Sequence, residues 1–122
     1  MQNILFTPPT DKKILGERKT LTARFWKRKP PEVGDYVTAS TGRKKETRFA
    51  VLKITGVYEW DGISVGSAES ATGLQFNEIA FYEGFNSWVD FISAYHSLNA
   101  HNAHQPDRKH YFIKFEIAIG VL

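Results

Sequence analysis

Lys19 and Thr22 lie close together in a stretch whose residue types suit acyl-transfer chemistry. The segment GERKTLTAR, residues 16–24, places the lysine three positions before the threonine. A lysine beside a threonine hydroxyl can act as its base if desolvation lowers the lysine pKa. Thr22 shares a strand face with Arg24, whereas Lys19 has the opposite parity, so the backbone must bend near Lys19 for the two to meet. The same segment also fits a strand face exposed to water.

Glu83 is a second residue that suits acid–base chemistry. It follows Phe76, Ile79 and Ala80 at helical spacing, and Gly84 is expected to end that helix. A carboxylate on an apolar helix face is costly unless it is paired or useful. Burial would raise its pKa and make it a candidate general acid or base, and a nearby lysine would oppose that shift. The alternative is that the helix frays before Gly84 and Glu83 reaches water.

Composition narrows the classes of protein to consider. The chain has 122 residues, which favours one domain over residues 1–122, with 42% hydrophobic and 24% charged residues, as in an ordinary folded protein. It has no cysteine, which excludes disulfides, thiol nucleophiles and cysteine-ligated metals and suits a reducing cytoplasm. No apolar run approaches the roughly 20 residues that span a bilayer, and the first ten residues lack signal-peptide features, so no membrane association is expected.

Charge is distributed unevenly along the chain. Residues 18–48 hold ten Lys or Arg and three acids, a net charge of +7, whereas residues 49–100 carry −5. Such a basic segment suits a phosphate-bearing partner such as RNA, although a basic surface without a partner fits the charge equally well. The four histidines, His96, His101, His104 and His110, match no common zinc spacing, so no metal site is expected.

Hydrophobic patterning predicts about five strands and three short helices. Strands are predicted at residues 4–6, 20–25, 36–40, 48–60 and 109–122, from alternation and from β-branched and aromatic content. Helices are predicted after Thr7, over 76–83 and from Ser87, with 97–107 as a loop. Because helices do not alternate regularly with strands, we expect an α+β fold built on a small mixed-sheet β-barrel, closed or nearly closed.

Four segments in order resemble the ASCH domain family, whose members share a PUA-like β-barrel. ILGERKTLTAR resembles the family's Gly-x-x-Lys-Thr-x-Thr-x-Arg segment after a first helix, and EVGDYV its Gly-Asp turn into a strand. AFYEGFNSWVDF resembles its Glu-Gly-Phe helix break, and HYFIKFEI its closing strand. The resemblance covers nearly the whole chain. It extends to the small bacterial YqfB-type amidohydrolases, which remove the acyl group from N4-acetylcytidine.

This resemblance implies a site and a reaction. The family's lysine, threonine and glutamate match Lys19, Thr22 and Glu83, which implies that Thr22 or a water attacks the acyl carbon, with Lys19 as base. Glu83 would orient Lys19 and exchange protons with the leaving amine.

Arg24, Phe6 and Arg43 are the expected substrate-binding residues, with Arg24 binding the base or stabilising the oxyanion. The implied reaction needs no metal or organic cofactor, and its substrate is either a free small nucleoside or a nucleotide within RNA. The alternative is an RNA-binding or RNA-processing module that uses the basic segment, with a structural role for Glu83.

Overall fold

Five strands and four α-helices make up the described part of the protein. The computed structural model describes residues 2–26, 29–99 and 109–120. The elements follow the chain in the order β1 (Asn3–Leu5), α1 (Thr10–Leu15), β2 (Leu21–Trp26), β3 (Tyr36–Ser40), a 3-10 turn (Lys45–Thr47), β4 (Arg48–Trp60), α2 (Val65–Thr72), α3 (Phe76–Tyr82), α4 (Trp88–Asn99) and β5 (Lys109–Gly120).

The strands form one mixed sheet that curves into a half-barrel. Its order is β1-β3-β4-β5-β2, with β1 parallel to β3 and every other pair antiparallel. The long β4–β5 ladder shifts register twice, at Val51/Leu52 and at Ile54/Gly56, and such bulges increase local twist and bend the strands. The α+β, PUA-like fold class is therefore confirmed. The barrel is open rather than closed, since no described ladder joins β1 to β2.

The two faces of the sheet carry separate apolar clusters. On β5, alternate residues face one cluster, namely Tyr111, Ile113, Phe115 and Ile117, whereas Phe112 belongs to the other. The first cluster lies under α1 inside the half-barrel. The second joins the sheet to α2, α3 and α4, so the helices are held against one face by aromatic packing.

The helices depart from the sequence prediction at three places. Thr7 does not cap α1, which begins at Thr10 with Pro9 as its cap, because the consecutive prolines delay the first turn. α2 was not predicted, since its segment VGSAESAT buries only Ala68 and has almost no apolar stripe. α4 continues to Asn99, into the predicted loop, and residues 100–108 lie outside the described residues. The Ser87 hydroxyl accepts from the Asp90 N–H and so caps α4, as predicted.

No described helix is both long and apolar enough to cross a membrane. Within the described ranges there is also no cluster of three potential metal-binding His, Asp or Glu side chains. His101 and His104 lie outside those ranges, so the expectation about them stays a prediction.

Candidate active site

Lys19 lies on the short connection between α1 and β2, before strand alternation begins. Glu17 adopts φ 60, which turns the chain after Gly16, and the Lys19 N–H donates to the Lys13 carbonyl at 3.1 Å. The next N–H, of Thr20, donates to the Tyr82 carbonyl at 3.0 Å, which ties this connection to the end of α3. The bend near Lys19 that the sequence required is therefore present, and the side chain of Lys19 points inward with 5% of its surface exposed.

Glu83 is placed by the end of α3. Its N–H still bonds to the Ile79 carbonyl at 2.9 Å, and Gly84 at φ +90 then reverses the chain. Ile79 and Ala80 on its helix face are buried, whereas Phe76 at the first helical position is exposed. Glu83 does not fray into water: it is 4% exposed.

Lys19 and Glu83 form a buried ion pair across 64 residues of sequence. The Lys19 Nζ donates to Glu83 Oε1 at 2.9 Å and to the main-chain carbonyl oxygen of Glu83 at 2.8 Å. Glu83 Oε2 is buried without a hydrogen-bond partner among the described residues. The Ala23 N–H on β2 also acts on this carboxyl and opposes the rise of its pKa.

Burial moves the pKa values of this pair toward each other. It lowers the pKa of Lys19 and raises the pKa of Glu83, while the attraction and hydrogen bond between the two groups oppose both shifts. The positive charge of Arg24 lowers the pKa of both groups, so it adds to the shift of Lys19 and opposes the shift of Glu83. A proton that moves from Lys19 to Glu83 leaves the net charge unchanged. The neutral amine, which is the form that acts as a base, is therefore more accessible than in a surface lysine.

Thr22 lies on β2 beside the pair but does not hydrogen-bond to Lys19. Its hydroxyl oxygen accepts instead from Arg24 Nε at 3.1 Å, and the role of Lys19 as the base for Thr22 stays a prediction. Arg24 follows Thr22 on the same strand face and competes for the oxygen because the two side chains are adjacent there. The Arg24 guanidinium also lies 4.7 Å from the centre of the Phe6 ring, and burial lowers its pKa.

These residues line one cavity of about 480 Å³ at the opening between β1 and β2. Five of the six site residues proposed from the sequence come together in its walls, namely Lys19, Thr22, Glu83, Arg24 and Phe6. Its size is in the range usual for small-molecule sites.

Arg43 does not line this cavity. It is exposed on the β3–β4 connection, where the Thr47 hydroxyl lies within hydrogen-bond distance of the carbonyl oxygens of Gly42 and Lys44 and shares its one proton between them. A role of Arg43 in substrate binding therefore stays a prediction that this cavity does not support.

Four further polar residues of the cavity wall were not proposed as site residues from the sequence, namely Thr7, Thr10, Lys13 and Tyr95. Lys13 of α1 donates to the Gly84 carbonyl at 2.7 Å, a contact across 71 residues that no local pattern reveals. Tyr95 of α4 belongs to the apolar cluster that joins the helices to the sheet. Its hydroxyl lies 2.7 Å from His110 Nδ1, burial raises the pKa of Tyr95, and burial lowers the pKa of His110. A neutral His110 can accept that hydroxyl proton, which fixes the Tyr95 ring at the cavity wall.

The basic segment is divided between the site and the surface. Arg18 donates to the Phe85 carbonyl and to Asn86, and Lys29 pairs with Glu32, so these cations are already engaged. Lys27 and Arg28 lie outside the described residues. Among the described residues of the segment 18–48, the exposed cations without an acidic partner lie around the 3-10 turn, namely Arg43, Lys44, Lys45 and Arg48.

Comparison with known proteins gives matches in structure only. No family model and no curated protein matches the sequence. An ASCH domain from Lactobacillus crispatus JV V101 superimposes with a TM-score of 0.64 at 14% identity, covering 97% of this chain and 79% of that one. A protein from Enterococcus faecalis V583, assigned to DUF984, gives 0.63 at 17% identity, covering 98% and 80%. An ASCH protein from Zymomonas mobilis gives 0.54 at 15% identity, covering 98% and 71%. At these identities the likeness shows a shared fold.

Proposed function

We propose that this chain, which has the fold of the ASCH-domain proteins, is an amidohydrolase that removes the acyl group from N4-acetylcytidine or a related N4-acylated cytosine nucleoside. The observation that supports the proposal is the buried Lys19–Glu83 pair, which lines a cavity together with the Thr22 hydroxyl. A buried ion pair is weak evidence for stability, but such pairs often shift the pKa of a catalytic base. Resemblance to the N4-acetylcytidine amidohydrolases supplies the substrate.

The proposed reaction needs a base and then an acid at nearly the same point. An oxygen nucleophile, either the Thr22 hydroxyl or a water that it positions, attacks the acyl carbon and gives up its proton to the Lys19 amine. The C–N4 bond then breaks, and the leaving amine takes a proton from Lys19. If Thr22 attacks, water hydrolyses the resulting ester, so in either route water adds across the amide and yields cytidine and acetate. Lys19 must be neutral before it can act as the base, and Glu83 holds the proton that Lys19 gives up at that stage.

Arg24 is the cation placed to stabilise the oxyanion. Its Nε donates to the Thr22 oxygen at 3.1 Å, and we expect its remaining N–H groups to donate to the carbonyl oxygen during attack at Thr22. The guanidinium also lies over the Phe6 ring, 4.7 Å from its centre. This preorganised position would favour charge that develops during the reaction over the neutral substrate.

Turnover of N4-acetylcytidine by the whole chain, followed as cytidine release, tests the proposal. Lys19→Ala, Thr22→Ala and Glu83→Ala should each abolish most of the activity, and the losses should not add, because the residues act as a unit. The matched control is Thr20→Ala, a threonine at the strand entrance that does not line this cavity. Undetectable turnover by the natural sequence, or variants that retain full activity, would refute the proposal.

RNA binding is a second candidate function, favoured by the exposed cations around the 3-10 turn. If Arg43, Lys44 and Lys45 bind phosphates, their replacement by glutamine should weaken single-stranded RNA binding. Removing one such phosphate interaction should also flatten the dependence of log affinity on log salt by roughly 0.7. RNA affinity that is independent of salt, or equal in the triple variant, would argue against this function.

A further inference from the structure

The charged side chains that line the cavity carry more positive than negative charge. Lys13, Lys19 and Arg24 contribute three positive groups, and Glu83 contributes the only negative one within the described lining. Lys19 and Glu83 neutralise each other as a pair, which leaves a formal excess of two positive charges. A cleft with an excess of one sign concentrates ligands of the opposite sign. The cavity therefore favours an anionic ligand, although the cytosine base and the ribose of a nucleoside are both neutral.

Lys13 is the cation best placed to meet such an anion. Its ammonium is held by the Gly84 carbonyl at 2.7 Å and lies 5.9 Å from the centre of the Phe85 ring. It has no carboxylate partner within the described residues. An ammonium group has three donors, so two remain after the bond to Gly84.

Two hydroxyl groups accompany Lys13 at this end of the cavity. Thr7 and Thr10, on the connection from β1 into α1, also line the wall, and their side chains make no hydrogen bond to any described residue. One ammonium and two hydroxyl donors suit the oxygens of a phosphate group. Lys13 holds the carbonyl of Gly84, the residue that follows Glu83, so the phosphate and the reacting amide would be held by different but neighbouring groups.

We propose that Lys13, together with Thr7 and Thr10, binds a phosphate attached to the ribose of the substrate, so that the site takes cytidine nucleotides in preference to nucleosides. The choice of cytidine rests on the proposed function, whereas the preference for a phosphate rests on the charge and donors of the wall. The phosphate belongs either to a free nucleotide or to an RNA strand, because both present the same oxygens to Lys13.

Calorimetric titration of the whole protein tests this without relying on turnover. Cytidine, cytidine 5′-monophosphate and a trinucleotide with cytidine at its centre are the probes. We expect the natural sequence to bind the monophosphate at least about tenfold more tightly than cytidine, and Lys13→Gln to remove most of that preference. Lys13→Arg should retain it. Lys12→Gln, which removes the same charge from an exposed position one residue away, should retain it too.

The results that overturn the inference are distinct from those that overturn the proposed function. Equal affinity for cytidine and its monophosphate, no measurable binding of the monophosphate, or equal losses in Lys12→Gln and Lys13→Gln would each refute the phosphate site. If Lys13→Gln folds poorly, Thr10→Val replaces it as the test, with the same expected loss of preference. Tighter binding of the trinucleotide than of the monophosphate would assign the phosphate to RNA, and the reverse would assign it to a free nucleotide.

Turnover separates the two conclusions. Hydrolysis of N4-acetylcytidine and of its 5′-monophosphate with equal kcat/KM, combined with equal affinities, would leave the proposed function intact and refute the phosphate site. Preference for the monophosphate in binding with no hydrolysis of either compound would retain the phosphate site and refute the proposed function.

Discussion

Replacing Lys19 by methionine should strongly destabilise the fold, because it leaves the carboxylate of Glu83 buried without an ammonium. The two side chains are 5% and 3% exposed, and the charged atoms are 2.9 Å apart. With an effective dielectric constant of about 20, the attraction at that distance is about 6 kcal/mol. Desolvation offsets much of it, so removing one partner of such a pair costs about 3–5 kcal/mol. Methionine fills the space of the lysine stem, and Arg24 still faces the carboxylate, so we expect about 3 kcal/mol.

A double-mutant cycle isolates the pair from other effects of substitution. Glu83→Met alone leaves Lys19 buried beside a main-chain carbonyl, whereas Lys19→Met with Glu83→Met removes both charges and fills the site with apolar groups. The double variant should therefore lose less stability than Lys19→Met alone, with a coupling free energy of at least about 2 kcal/mol. Urea unfolding followed by tryptophan fluorescence measures each free energy, since Trp60 and Trp88 are buried.

The pH dependence of Lys19→Met gives a second check on the same reasoning. Burial raises the pKa of Glu83 above its ordinary value of 4.5, and without Lys19 the main opposition to that rise is gone. The folded state then binds a proton more tightly than the unfolded state, so stability of the variant rises as the pH falls from the raised pKa toward 4.5. The deficit relative to the natural sequence should thus shrink on acidification. Single-variant costs that add within about 0.5 kcal/mol, or a deficit that grows in acid, would refute the argument.

Two other expectations follow from the same region. Glu17→Gly should stabilise the protein by up to about 1 kcal/mol in urea unfolding, because glycine relieves the left-handed conformation at φ 60, whereas Glu17→Ala should not. The pKa of Lys19 can be followed by NMR in protein labelled with ¹³C at the lysine ε-carbon. The Lys19 signal is the one that is absent from Lys19→Met. We expect Lys19 to titrate at lower pH in Glu83→Gln than in the natural sequence. The carboxylate that raises the pKa of Lys19 is then absent, and movement to higher pH would contradict this account of the pair.

The sequence predicts those parts of the fold where local pattern and tertiary packing agree. β3 and β4 match their predicted bounds because β-branched and aromatic residues dominate both segments. The proline pair moved the start of α1, and α2 was missed because it presents one buried alanine rather than a stripe. In each case the local signal was weaker than the packing that fixes the element.

The candidate site was predictable where a residue conflicted with its surroundings. Glu83 stood out because a carboxylate on an apolar face demands a partner, and Lys19 is that partner. Lys13 was not predictable, since its contact with Gly84 joins residues 71 positions apart and a lysine on a short amphipathic helix carries no unusual pattern. The hydrogen-bond partner of the Thr22 hydroxyl was also not predictable, because spacing along the strand does not tell whether Lys19 or Arg24 binds that oxygen.

The double attachment of Lys19 has a consequence for how such a site changes during evolution. One of its two acceptors is the carboxylate of Glu83, but the other is the peptide oxygen of the same residue, at 2.8 Å. Every amino acid that can occupy position 83 supplies that peptide oxygen. A lineage can therefore exchange the acid for another side chain in one mutational step and still keep the amine anchored in the cavity. The chemistry of the site can thus change during evolution while the position of the Lys19 amine is kept.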